Sequence, residues 1–295
     1  MRQYPNIIQT VGLLALFVLL QIVFAIPLGV IDMTTKSNLM SNPLTIAVVN
    51  LLSIGLLLWF GLRRTDASFK EVFPFRAISP FLLLPISLTV IGMSIILSEV
   101  NNCVVNVLPI PPQIAEVFQN LFGTRENFWG ALLAAVIVAP LTEELLFRGL
   151  MLRGFLNNYS VRKALIVSAL FFGVFHVFPW QITGAAVLGV IFAWWFVKTR
   201  SLIPCLFGHA LNNALPIILL AYPQLKIPGY SNEVAEQVEF QPLWFDALGL
   251  LLAGMGIWWL YREFVKMDAE RSRELSVVSS KEPIFSDNGR MENPQ

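Results

Sequence analysis

Apolar residues occur along this chain in long runs that short polar segments separate. A helix rises about 1.5 Å per residue, so a run of about 20 apolar residues can cross the hydrocarbon core of a bilayer. The runs that meet this length, or approach it, predict eight membrane-spanning helices: Ile7 to Ile31, Pro43 to Leu62, Pro80 to Leu97, Trp129 to Leu150, Ala164 to Trp180, Ile182 to Val197, Leu202 to Tyr222 and Leu243 to Tyr261. The fifth and sixth runs are short and meet near Pro179, which predicts a tight helical hairpin. The predicted fold class is all-α, a polytopic bundle of about eight transmembrane helices.

The segments outside the spans complete the predicted organisation. Residues 113–122 place apolar side chains on one helical stripe, formed by Ile114, Val117, Phe118, Leu121 and Phe122. This stripe predicts a short helix on the outer interface or a cap over the bundle. The last segment mixes charges with Ser, Pro and Asn without apolar period, which predicts disorder. We divide the chain into residues 1–128 (spans one to three and the short helix), 129–222 (spans four to seven), 223–264 (an outer loop and span eight) and 265–295 (a disordered tail).

Charge supports a membrane location. Charged residues make up 13% of the chain and the mean hydropathy is +0.68, whereas soluble domains carry about a quarter charged residues. With the N-terminus in the cytoplasm, only Lys36, Arg125 and Lys226 fall on the outer side, as the positive-inside rule requires. We therefore expect a multi-pass membrane protein with both termini cytoplasmic, and we take the membrane to be the plasma membrane of a bacterium. The net charge of +1 gives no support for a nucleic acid partner.

Five charged or imidazole side chains lie within predicted spans four, five and seven, at positions where lipid-exposed helices avoid charge. They are Glu143, Glu144, Arg148, His176 and His209, and the two histidines are the only ones in the chain. An ionised group at the centre of a bilayer costs from about 3 to more than 10 kcal/mol unless it faces a partner or a wet cavity. Such a group indicates a functional site.

The spacing of these residues predicts how they are arranged. Glu144 and Arg148 are four residues apart and can pair on one helix face. Glu143 points about 100° away from that face, which leaves it free to act as a general base. Phe172 precedes His176 by four residues, so its ring can pack behind the imidazole. His209 and Asn213 are also four residues apart and project together.

Two kinds of chemistry suit this set, and each residue also has a purely structural interpretation. One glutamate, two histidines and an asparagine can hold a water molecule, abstract its proton and stabilise an oxyanion. Alternatively, His176, His209 and Glu143 can hold a divalent metal such as zinc. The structural interpretations are a buried ion pair that fixes helix packing and polar side chains that bridge helices.

Three motifs in order, Glu143-Glu144-x-x-x-Arg148, Phe172-x-x-x-His176 and His209-x-x-x-Asn213, resemble those of the CPBP family of intramembrane proteases. This family comprises the CAAX prenyl proteases of the Ras-converting-enzyme type and the bacteriocin-processing or self-immunity (Abi) proteins. The resemblance covers roughly Trp129 to Tyr222, and it implies that this part of the chain is a catalytic core that hydrolyses peptide bonds inside the membrane. It implies that the substrate is a peptide or a membrane-anchored or lipidated protein.

The resemblance also implies a role for each residue. Glu143 would activate the attacking water with help from His176, and His209 and Asn213 would stabilise the oxyanion. Glu144, Arg148 and Phe172 would support the site. The family is traditionally named as metalloproteases, yet this residue set also works as a metal-free glutamate protease. Because the chain lacks the HExxH zinc signature, we expect that no cofactor is required, with zinc as the alternative.

Three rival interpretations stay open at this point. The first uses Cys205, which lies four residues before His209, so that the two side chains could form a thiolate pair. (Cys103 and Cys205 show no CxxC spacing, so neither a disulfide framework nor a thiolate metal cluster is expected.) The second is a proton-coupled transporter, because glutamate and histidine relays also occur in such proteins. Finally, a relative without catalysis could act as a membrane chaperone or immunity factor.

Overall fold

The computed structural model describes residues 3–122, 127–221, 224, 227–230 and 238–281, and these residues form helices and no strands. The all-α prediction is therefore confirmed. The main helices are α1 (Ile7–Thr35), α2 (Pro43–Arg63), α3 (Leu83–Val107), α4 (Pro112–Phe122), α5 (Phe128–Asn158), α6 (Val161–Phe175), α7 (Pro179–Thr199), α8 (Ile203–Ala221) and α9 (Leu243–Lys281).

Six of the described helices are long and apolar enough to cross a membrane, namely α1, α2, α3 with the turn before it, α5, α7 and α9. The predicted fifth and seventh spans correspond to shorter helices, α6 with 15 residues and α8 with 19. The fifth span was predicted to continue to Trp180, and this is wrong because α6 ends at Phe175. The chain then turns within three residues and begins α7 at Pro179, which confirms the helical hairpin.

The hairpin of α6 and α7 packs closely because small residues face each other. A Cβ atom added at Gly189 would lie 3.0 Å from the Cα atom of Ala169, and one added at Gly173 would lie 2.9 Å from the carbonyl oxygen of Ile182. Neither position has room for a larger side chain. This close approach brings the end of α6, where His176 lies, next to the beginning of α7.

Helix α4 lies over a cavity of the bundle. Ala115, Phe118 and Phe122 line a cavity beneath the helix. The ring of Phe118 lies 5.5 Å from that of Phe178 in the turn between α6 and α7. Val117, which we placed on the same apolar stripe, points away and is 52% exposed.

The prediction of a disordered tail from residue 265 is wrong as far as Lys281, because α9 continues through this segment. Beyond its apolar residues, α9 makes polar contacts with the end of α7. Lys198 Nζ lies 2.6 Å from Asp268 Oδ2, and Arg271 donates to the carbonyl oxygen of Lys198 at 3.1 Å. Residues 282–295 lie outside the described residues.

Helix α5 departs from α-helical geometry on both sides of its glutamate pair. The segments Leu133–Val138 and Leu145–Leu152 are π-helical, and the six residues between them are α-helical and end at Glu144. A π-helical turn has backbone hydrogen bonds that span five residues, and it rotates the side chains that follow. Such turns are frequent at functional sites. The direction in which the two glutamates point therefore depends on these segments.

Candidate active site

The four residues with predicted catalytic roles line two adjoining cavities between α3, α5, α7 and α8. Glu143 lines the larger cavity, of about 560 Å³, and His209 lines the smaller one, of about 390 Å³. His176 and Asn213 line both. The structure thus brings side chains from α5, α8 and the end of α6 to one space inside the bundle.

Glu144 and Arg148 form the ion pair that the spacing predicts. Arg148 Nη1 donates to Glu144 Oε1 at 3.0 Å, and both side chains are fully buried. Arg148 Nη2 donates to the carbonyl oxygen of Gly189 on α7 at 3.2 Å. The guanidinium carbon lies 4.3 Å above the ring of Phe172, a favourable cation–π contact. The pair therefore joins α5 to α6 and α7.

Glu144 also holds His209, a contact that the sequence did not predict. His209 Nδ1 lies 2.8 Å from Glu144 Oε1. Since a carboxylate accepts hydrogen bonds, Nδ1 carries the hydrogen and Nε2 faces the opposite way. Nε2 lies 3.9 Å from Glu143 Oε2. The imidazole is thereby fixed by Glu144 on one side and directed toward Glu143 on the other.

His176 lies directly after the last residue of α6 and not within a helix, contrary to our prediction. Its Nδ1 is 2.8 Å from the carbonyl oxygen of Phe172. A carbonyl oxygen can only accept, so in the neutral ring Nε2 is the basic nitrogen. The ring of Phe172 packs against the imidazole, with the centroids 5.0 Å apart, as predicted. The same ring lies 5.6 Å from His209. Phe172 therefore contacts both imidazole rings.

A strained turn fixes the backbone beside His176. Val177 has a φ of 64°, in the left-handed region that β-branched residues avoid. The N–H of Phe178 donates to the carbonyl oxygen of His176 at 2.7 Å, which closes a three-residue turn around Val177. Val177 itself is 74% exposed. Its side chain therefore has little packing to offset the strain, and the turn is held by the elements on either side.

Asn213 is held by a backbone carbonyl that α5 leaves without a helical partner. The N–H of Ala139 donates to Ala134, five residues back, and Pro140 has no N–H to offer Ala135. The carbonyl oxygen of Ala135 instead accepts from Asn213 Nδ2 at 2.9 Å. Sequence reasoning missed this contact. The proline three residues before Glu143 was its only signal.

Glu143 differs from its neighbour because its carboxylate accepts no hydrogen bond from the described residues. Its side chain is 16% exposed, and Oε2 is buried without a hydrogen bond among the described residues. Glu144 is therefore hydrogen-bonded to Arg148 and His209, whereas Glu143 Oε2 has only the 3.9 Å contact with His209 Nε2. A carboxylate that is free and faces a cavity is suited to hold a water molecule and to take its proton.

The donor sets for the metal and cysteine alternatives do not fit this geometry. Among the described residues, no three His, Cys, Asp or Glu side chains are grouped so that they could hold a metal ion. Glu143, His176 and His209 therefore do not form a ligand set here. Cys205 is buried, and its thiol donates to the carbonyl oxygen of Phe192 at 3.1 Å. The thiol is thus hydrogen-bonded to the backbone and not to His209, as a thiolate pair would require. Both cysteines are free.

Comparison with known proteins identifies the segment that carries this site. Residues 125–215 match the family model described as type II CAAX prenyl endopeptidase, Rce1-like. This segment, about a third of the chain, is similar to the Rce1-like family. The match contains all three motifs, and it confirms the resemblance to CPBP and CAAX proteases. No curated protein and no solved structure matches the chain. The Rce1-like segment and the apolar helices together support an integral membrane protease of the CAAX type.

Proposed function

We propose that the protein is an intramembrane endopeptidase in which Glu143 activates a water molecule for attack on a peptide carbonyl. The observation that carries this proposal is the unpartnered, buried Oε2 atom of Glu143, 3.9 Å from His209 Nε2 and in a cavity that His176 also lines. The Rce1-like match supports the reaction class independently.

The proposed reaction begins with a water molecule between Glu143 and His176 Nε2. The carboxylate takes one proton as the water oxygen attacks the carbonyl carbon, and the former carbonyl oxygen becomes an oxyanion. Collapse of this intermediate breaks the C–N bond. The proton on Glu143 then passes to the leaving nitrogen, so the carboxylate is restored and one water is consumed for each peptide bond.

His209 and Asn213 are suited to stabilise the oxyanion. His209 Nδ1 donates to Glu144, so Nε2 is the nitrogen that faces Glu143, and a hydrogen carried there can be donated to the oxyanion. Asn213 Nδ2 carries two hydrogens, of which the Ala135 carbonyl oxygen accepts one. The second is available for the oxyanion. Donors fixed in advance of the reaction lower the barrier because they need no reorganisation when charge develops.

The family match and the setting of the site support a class of substrate. The Rce1-like match supports a prenylated or otherwise membrane-anchored protein or peptide. The larger cavity is covered by α4, whose Phe118 and Phe122 give it an apolar roof. An apolar roof over a polar site suits a substrate that combines a lipid or apolar segment with a peptide bond to be cleaved.

The test is cleavage of a farnesylated peptide that ends in a CAAX sequence by the purified protein in proteoliposomes. We expect Glu143→Gln, which keeps the shape of the side chain, to lower kcat by about 10²- to 10⁴-fold. Glu263→Gln is the matched control, because Glu263 lies on α9 and pairs with Lys266 outside the cavities. Normal cleavage by folded Glu143→Gln protein would overturn the proposal.

A further inference from the structure

Two carboxamides face the cavities without any partner in the part of the chain that the structure describes. Asn101 on α3 and Gln181 on α7 each line both cavities, as do His176 and Asn213. Both carboxamides are half-buried. They are not used in the proposed reaction, which leaves their hydrogen-bonding capacity unexplained.

Other polar groups of the same wall are already engaged within the protein. Ser94 Oγ lies 3.0 Å from the hydroxyl oxygen of Tyr230, and Ser98 Oγ donates to the carbonyl oxygen of Gly229 at 3.2 Å. Asn102, next to Asn101, donates to the same carbonyl oxygen at 2.7 Å. These bonds fix α3 against the loop at 227–230. Asn101 is thus carried on a tethered helix while its own side chain stays free.

The chemistry of the two carboxamides matches that of a peptide backbone. Each carries a carbonyl acceptor and an N–H donor, the same pair of groups as a peptide bond. A polar group inside a helix bundle costs free energy when it lacks a partner, so a ligand that supplies one is favoured. The ligand that fits is a segment of polypeptide with unpaired N–H and C=O groups.

A substrate must present such groups in order to be cleaved. In a helix, the carbonyl groups are bonded to N–H groups of the same segment and are shielded from attack. An unwound segment exposes its backbone groups, and lipid offers them no hydrogen-bond partner. The enzyme must therefore supply donors and acceptors where the substrate is extended.

We propose that Asn101 and Gln181 bind the backbone of the substrate in an extended conformation on either side of the cleaved bond. The proposal rests on the proposed function and adds the residues that hold the substrate. Leu97, Leu188 and Pro216 line the smaller cavity beside them and offer apolar contacts for the substrate side chains. Both amides act in binding, and neither takes part in bond breaking.

The test compares a peptide with its ester analogue. The Glu143→Gln protein is titrated with a fluorescent farnesylated CAAX peptide and with a depsipeptide in which esters replace the two amides that flank the cleaved bond. An ester lacks the N–H donor and is a weaker acceptor. We expect the protein to bind the peptide about three- to tenfold more tightly than the depsipeptide for each hydrogen bond lost.

The substitutions Asn101→Leu and Gln181→Met should reduce that preference to within about twofold, because the protein then has no amide to tell the two probes apart. Asn101→Ala and Gln181→Ala serve where the larger side chains prevent folding, and they must lose the preference as well. Asn157→Leu is the control, because Asn157 is exposed and lines neither cavity. It should keep the full preference.

Two results would overturn the inference, and they separate it from the proposed function. In the first, the wild-type protein cleaves the peptide, but the Asn101 and Gln181 variants of the Glu143→Gln protein still bind the peptide more tightly than the depsipeptide, by the same factor as the Glu143→Gln protein itself (the parent). The inference then fails and the proposed function stands. If the wild-type and parent proteins neither bind nor cleave the peptide, both fail together.

Discussion

Glu144 Oε1 accepts hydrogen bonds from two groups at once, Arg148 Nη1 at 3.0 Å and His209 Nδ1 at 2.8 Å. One oxygen of a buried carboxylate thus joins an arginine on its own helix to a histidine on α8. The contact makes the fold and the proposed chemistry depend on the same atom, since the ion pair fixes helix packing and the histidine faces Glu143.

We predict that Glu144→Gln lowers both stability and activity. The substitution removes the charge that neutralises Arg148, and breaking a buried pair on one side costs about 3–5 kcal/mol. Thermal or denaturant unfolding of the purified protein measures this loss. Glu263→Gln breaks an exposed pair and should cost less than about 1 kcal/mol. Equal losses in the two variants would show that the Glu144 pair is not buried as described.

We predict that Pro140→Ala separates activity from stability. Alanine restores an N–H that can donate to the carbonyl oxygen of Ala135, and this N–H then competes with Asn213 Nδ2. We expect kcat to fall about tenfold, or roughly 1.4 kcal/mol, while stability is unchanged or increases because proline disfavours a helix interior. Pro43→Ala, at the first turn of α2, is the control and should leave kcat unchanged. An unchanged kcat in Pro140→Ala would show that the freed carbonyl has no part in positioning Asn213.

We predict that Val177→Gly stabilises the protein and slows it. Glycine adopts the positive φ of this position without strain, which removes about 1–2 kcal/mol of strain. The greater freedom of glycine in the unfolded chain offsets about 0.5–1 kcal/mol of this, so the free energy of unfolding should rise by up to about 1 kcal/mol. The greater freedom of the turn should lower kcat because His176 is held less firmly. Val187→Gly, within α7, is the matched control and should lower stability by about 0.5–1 kcal/mol. A lower stability in both variants would contradict the strain that we assign to Val177.

We predict that chelation leaves cleavage intact. The proposed reaction uses the carboxylate of Glu143 as the base, and no three described His, Cys, Asp or Glu side chains are grouped as metal ligands. Incubation of the active protein with 1,10-phenanthroline or EDTA should therefore change the rate less than about twofold. Loss of activity that added zinc restores would show that a metal supports the reaction.

Much of the architecture could be predicted because helix length and apolar period are local properties. The hairpin at Pro179 and the cap of residues 112–122 follow from short stretches of sequence, and the structure contains both. The end of α6 could not be read this way. Apolar residues continue past Phe175, and the helix ends there, before Pro179, because Val177 adopts a left-handed backbone conformation. The prediction of disorder from residue 265 was wrong because it rested on polar composition, whereas α9 extends through this polar segment to Lys281.

For the site itself, the sequence determined the contacts that lie within one helix. The pair of Glu144 with Arg148 and the packing of Phe172 on His176 each depend on a spacing of four residues, which helical geometry brings together whatever surrounds it. Only the tertiary structure decided the contacts between helices. Glu144 meets His209, and Asn213 meets the carbonyl of Ala135, because of how α5 and α8 are rotated and how the π-helical turns displace the groups after them. No local spacing encodes such a rotation, since it results from the packing of the whole bundle.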